Sequence, residues 1–155
     1  MTPNGEQVPA AHARTAERIR ETLAAGGWIL TCDIPKGYGR VPLAAALIAA
    51  SSARGIYLAG TEALALQAAR GLASTRRFET MTIRQAWTRA RAGGDGPALV
   101  LLDDVMPEDR SLISHLSDRW PGTAMVMFES PRRASGFLVD GAFQVRTVVQ
   151  RSKPL

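Results

Sequence analysis

Two short stretches of the chain could do phosphate chemistry. The first is "IPKGYGRV", Ile34 to Val41, which follows the apolar run Trp28–Cys32 and precedes an Ala/Leu-rich segment. A loop that cradles phosphate needs glycines, so that backbone N–H groups can approach the anion. It also needs a Lys for the outer phosphates and a hydroxyl for magnesium. Gly37 and Gly39 meet the first need, while Ile34 stands where an earlier glycine would be. Arg40 keeps the charge of the Lys on a longer, planar, forked side chain. Val41 has no atom to offer a metal. The second stretch is "ALVLLDD", about sixty residues further on and ending in Asp103 and Asp104. Two acids at a strand end can divide the work of hydrolysis, the first orienting magnesium and the second positioning the attacking water. Each stretch also has an ordinary reading. The glycines suit any strand-to-helix turn, and Asp104 could cap the next helix.

The elements that would position these residues follow from the pattern. Residues 1–12 are polar with Pro and Gly, and are expected to be a flexible N-terminus ahead of a single domain over 13–155. Residues 13–25 read as a helix stopping at Gly26-Gly27. Trp28–Cys32 reads as a strand, and Pro42 suits the first turn of a helix running to about Ser52. "GIYLAG", "FETMTI", "PALVLLDD", "TAMVMFES" and "AFQVRTVVQ" read as further strands. Between them lie the helical segments "TEALALQAARGLAST", with Thr61 as N-cap, "RQAWTRARA" and residues 108–120. The unbroken apolar run in "ALVLL" suits a strand buried on both faces, as in a parallel sheet. Alternating strands and helices predict an α/β fold, a three-layer α/β/α sandwich with a mostly parallel sheet. In such a sheet ligands bind beyond the carboxyl ends of the strands, which selects Cys32–Val41, Gly60-Thr61, Asp103-Asp104 and Glu129-Ser130.

Composition narrows the class. The chain has 155 residues, 46% hydrophobic and 6% aromatic, which fits one globular domain with an aliphatic core. No apolar run is long enough to span a bilayer, and the start resembles no secretory signal, so a cytoplasmic location without membrane contact is expected. The lone Cys32 excludes an intrachain disulfide framework and reads as a small buried hydrophobe, as Met106, Met125 and Met127 read as core. Trp28, Trp87 and Trp120 are expected between helices and sheet, and neither His12 nor His115 suggests a metal site. The net charge of +5 rests on seventeen Arg against Lys36 and Lys153. A GC-rich coding sequence can produce that bias, and so can a polyanionic partner.

With these segments in view, residues 15–135 resemble the first RecA-like domain of superfamily 1 and 2 helicases. "IPKGYGRV" is similar to motif I, "LAGTEALALQAA" to motif Ia, and "ETMTIRQAW" to the segment before motif II. "VLLDDVMPE" takes the place of motif II and "MFESPRR" that of motif III. The motifs keep their order and spacing, but each is altered at a chemically important position. The resemblance implies RecA-like P-loop NTPase topology. It gives Asp103 and Asp104 the catalytic places, puts Gly37, Gly39 and Arg40 in the nucleotide loop, and sets Thr61, Gln67, Arg132 and Arg133 toward nucleic acid. With Arg40 and Val41 replacing the Lys and the hydroxyl, the expected state is a pseudoenzyme. It would hold no cofactor and bind single-stranded nucleic acid or a protein partner. The alternative is an active lobe, viral or phage-like, that uses ATP and magnesium with a partner supplying the second lobe. "LLDDVMP" is also similar to the phosphoacceptor strand of receiver domains. That family needs an acidic pair after its first strand and a Lys after its fifth. Only Asp33 ends the first strand here, and no Lys lies between Lys36 and Lys153.

Overall fold

The computed structural model describes residues 7–49, 54–72, 78–130 and 138–150. Along the chain these form α1 (Gln7–Ala24), β1 (Gly27–Asp33), α2 (Arg40–Ala49), β2 (Gly55–Ala59), α3 (Glu62–Gly71), β3 (Phe78–Thr82) and α4 (Ile83–Arg91). Then come β4 (Leu99–Asp103), α5 (Ser111–Arg119), β5 (Ala124–Glu129), β6 (Leu138–Val139) and β7 (Ala142–Gln150). The chain is of the α/β class. It divides into two compact units, Met1–Ser52 with Val126–Leu155, and Ala53–Met125. Among the described residues no helix is long and apolar enough to cross a membrane.

In the first unit β1 lies between β5 and β7, with β6 beyond β7. β7 runs antiparallel to β1, pairing Cys32 with Val145 and Asp33 with Gln144. Helix α1 packs on α2 and on β7. It begins at Gln7, so residues 7–12 are helical and not the frayed start that their polarity suggested. The reason is a buried stripe, Ala11, His12, Thr15, Ala16 and Ile19, which extends the helical periodicity upstream past the polar residues between. Thr15 lies on this buried face, and its Oγ1 accepts the backbone N–H of Phe143 at 2.9 Å. The core of the unit is aliphatic, with Ile19, Leu30, Leu43 and Leu47 all buried, and Phe143 closes it. β6, a two-residue strand paired with Ala142 and Phe143, carries no sequence signal of its own.

In the second unit three parallel strands run in the order β3, β2, β4. Gly55 stands opposite Phe78 on one side and Leu99 on the other. All five residues of β2 and the first four of β4 are buried, as strands covered on both faces require. Parallel neighbours oblige α3 and α4 to run back across the sheet between successive strands. A capping box starts α4: Thr82 accepts the Gln85 backbone N–H, and Gln85 accepts that of Thr82. The helix expected over 108–120 is shorter, Ser111–Arg119, preceded by a single 3-10 turn at Pro107–Asp109. Met125 is buried as expected, whereas Met106 is 39% exposed. Met106 lies past the end of β4 on the turn before Pro107, where no sheet face is left to cover it. Trp120 is buried, but Trp87 sits between two helices, its ring 5.5 Å from that of His115.

Candidate functional site

The Gly-rich loop joins β1 to α2 in the first unit. It turns at Pro35–Tyr38, where the Tyr38 N–H reaches the Pro35 carbonyl, and Gly39 accepts the first helical bond, from Leu43. Gly37 and Gly39 both have left-handed backbones, φ 87° and 92°, a region glycine enters without strain. Their surroundings differ. Among the described residues nothing lies within 4 Å of a Cβ added at Gly37, while a Cβ on Gly39 would lie 2.6 Å from the His12 ring. His12 packs there, stacked 6.2 Å from Phe143, with its Nε2 2.7 Å from the Tyr38 carbonyl oxygen. The outer side of the turn is therefore braced by helix α1.

The inner side is braced by Arg40. The residue is 7% exposed, and its guanidinium turns back into the loop. Nε and Nη2 both donate to the Ile34 carbonyl, at 3.0 and 2.8 Å. Nη2 also donates to Ser130 Oγ at 3.1 Å. Ile34 is itself buried, and its N–H donates to the Glu129 carbonyl. Arg40 thus fastens the first residue of the loop to the end of β5. A buried carbonyl therefore takes the fork that would otherwise face outward from the loop. Arg132 and Arg133, which the resemblance sets toward nucleic acid, lie outside the described residues. Next to the loop, Asp33 pairs with Arg146 at 3.0 Å. Cys32 is buried, and desolvation, with Asp33 adding repulsion and Arg40 partly opposing, pushes its thiol up to about 12.

The acidic pair ends β4 in the second unit. Asp103 is half-buried, and its Oδ2 accepts the Tyr57 hydroxyl at 2.5 Å. Tyr57 is fully buried on the neighbouring β2, two residues before Ala59, which stands opposite Asp103. Asp104 has a left-handed backbone, φ 58°, and its carbonyl would lie 2.0 Å from a Cβ on Gly60. Only glycine fits at that strand end. The residue at the head of the following 3-10 turn is Met106, so Asp104 is not its cap. Thr61 caps α3 by accepting the Leu64 N–H, as its position suggested, and Gln67 is exposed on the same helix. Asp109 is buried and paired with Arg84 at 3.0 Å.

Two residues that shape these sites carry little sequence signal. His12 sits in a polar segment and Tyr57 is an aromatic in an otherwise aliphatic strand, whereas Ser130 lies at a strand end that the carboxyl-end rule selects. Among the described residues no three His, Cys, Asp or Glu side chains group as metal ligands. No protein-family model matches the chain, and no curated protein matches it.

Proposed function

We propose that the chain is a helicase-like domain of the P-loop NTPase class, RecA-like in topology and three-layered, that works by binding and does not hydrolyse nucleotide. Its partner on this reading is nucleic acid or another protein. The observation that carries it is the fate of Arg40. In the place of the residue that would reach the outer phosphates stands a cation spent on the Ile34 carbonyl. A phosphoryl-transfer site depends on charges held open toward the transferred group. Val41 adds no metal ligand, and Asp103 receives a tyrosine hydroxyl on one oxygen. The topology adds one supporting feature: β1 is flanked by β5 and β7 and not by the next strand in sequence.

Magnesium-dependent ATP turnover tests the proposal directly. The unmodified chain is expected to hydrolyse no ATP above a buffer control. Arg40→Lys alone leaves the loop without a magnesium hydroxyl, so the smallest change worth assaying is Arg40→Lys with Val41→Thr. Robust turnover by the unmodified chain would overturn the non-catalytic reading in favour of an active lobe.

A further inference from the structure

The second unit biases its charges along the strand direction. At the carboxyl ends of its strands lie Asp103 and Asp104, with Glu62 in the first turn of α3 and Glu108 and Asp109 in the turn after β4. The arginines gather at the opposite edge. Arg70, Arg89, Arg91 and Arg119 occupy the last turns of α3, α4 and α5, and Arg54 precedes β2. All five are exposed. Backbone bonds tie this edge together. The Ala98 N–H donates to the Arg54 carbonyl, the Ala124 N–H to that of Ala98, and the Gly94 N–H to that of Arg89. Trp120, next to Arg119, donates its indole N–H to the Gly94 carbonyl.

Arginine in a final turn is often no more than a complement to the helix dipole. That account would apply equally to α1 and α2, yet neither has a basic residue in its last turn. Nor does scatter from a coding bias explain five arginines against Glu79, Asp95 and Asp118 at one edge, and five acids against Arg84 and Arg110 at the other. From this uneven layout we infer that the amino-terminal strand edge of the second unit, around Arg54, Arg91 and Arg119, binds the phosphate backbone of single-stranded nucleic acid. The inference rests on the binding function proposed above but moves the contact away from the carboxyl ends of the second unit's own strands, where Asp103 and Asp104 lie. Every cation of the patch is an arginine, whose planar fork can give two hydrogen bonds to one phosphate. A flexible strand suits the edge better than a duplex does. Glu79, bound to Arg89 at 2.7 Å, and Asp95 line the same shallow concavity as Arg54. A single strand can pass between the cations and avoid these carboxylates, whereas a stiff double row of phosphates cannot. The large aromatic of this edge, Trp120, is buried and has no face for a base, so binding is independent of sequence.

The test is fluorescence anisotropy of a labelled single-stranded oligothymidylate, titrated at several salt concentrations. The variants are Arg54→Ala with Arg91→Ala and Arg119→Ala, and separately Arg132→Ala with Arg133→Ala. Circular dichroism checks that each is folded. The triple variant is expected to bind at least roughly tenfold more weakly at low salt, with a salt slope shallower by about 2, since three phosphate contacts are lost. The double variant is expected to stay close to the unmodified chain. Loss of binding in the double variant with none in the triple overturns the placement but leaves the nucleic-acid reading intact. No binding by the unmodified chain overturns both, and stops the nucleic-acid reading before any variant is compared. Binding of poly-glutamate of equal charge as tight as that of the oligonucleotide overturns the inference in favour of an acidic protein.

Discussion

Arg40 shows how one side chain can keep its charge and change its task. Its fork closes the Gly-rich turn from inside, on a carbonyl that has no access to water. Replacing it by Met would leave the Ile34 carbonyl without these donors, and a buried acceptor that loses its partners costs about 1–3 kcal/mol. Urea denaturation of Arg40→Met should show a loss in that range, and a variant as stable as the unmodified chain would show that the brace contributes nothing. Cys32, two residues before the loop, behaves as packing. With its thiol pushed up to about 12, it should not react with iodoacetamide at pH 8 until the protein is denatured. The same shift has a sign for stability. An unfolded thiol ionises above its ordinary 9.0, the folded one only near 12, so the unfolded state sheds a proton first and stability falls as pH rises across that window. Substituting Cys32→Ala should flatten this alkaline slope in thermal melts, while an unchanged slope would assign it to other groups.

At the level of elements, local signals and long-range packing agree in most places. The capping box of Thr82 and Gln85 starts α4 immediately after β3, with no connecting loop at all. Two orphan donors of the first turn are satisfied by it, so Thr82→Ala should cost about 1 kcal/mol, read from the denaturation midpoint. Thr82→Ser should restore most of the loss, because the hydroxyl alone makes the bond to Gln85. Elsewhere the elements are set by distant partners. β7 has an exposed outer half, with Val148 57% exposed, so its strand conformation rests on its ladder with β1 and not on its own burial pattern. Helix α1 likewise owes its first turns to the core it covers.

The molecule as a whole is assembled from one continuous unit and one discontinuous unit. Ala53–Met125 contains all of β2, β3 and β4, whereas β1 finds its neighbours in the segment after Met125. A chain ending at Met125 therefore keeps the parallel ladder of the second unit and removes most of the strand pairing of the first. Hydrogen exchange on that truncated chain should show protection lost across Gly27–Asp33 and α1, and retained in β2 and β4. Protection lost everywhere would mean that the second unit does not hold its ladder alone. The charge layout belongs to this scale too. The net +5 is a property of the composition, but its uneven layout within the second unit arises because parallel strands send every helix end to the same edge.

The sequence by itself determined the α/β class, most of the strands and helices, and both candidate loops. These rest on short-range regularities: the buried run of β4, the cap at Thr61, and glycines where the backbone turns left-handed. It also marked Cys32 as core. What it could not determine was the direction in which a charged side chain points. Arg40 reads as the cation of a phosphate loop, and only the position of the Ile34 carbonyl and of Ser130, ninety residues away in sequence, turns it inward. The same holds for His12, which reads as frayed until Gly39 and Phe143 give it a place to pack. Tyr57 and Asp103 meet through strand register, which no local spacing encodes. Local patterns fix backbone conformation because they act within a few residues, while the use of a polar side chain is settled by groups that only folding brings near.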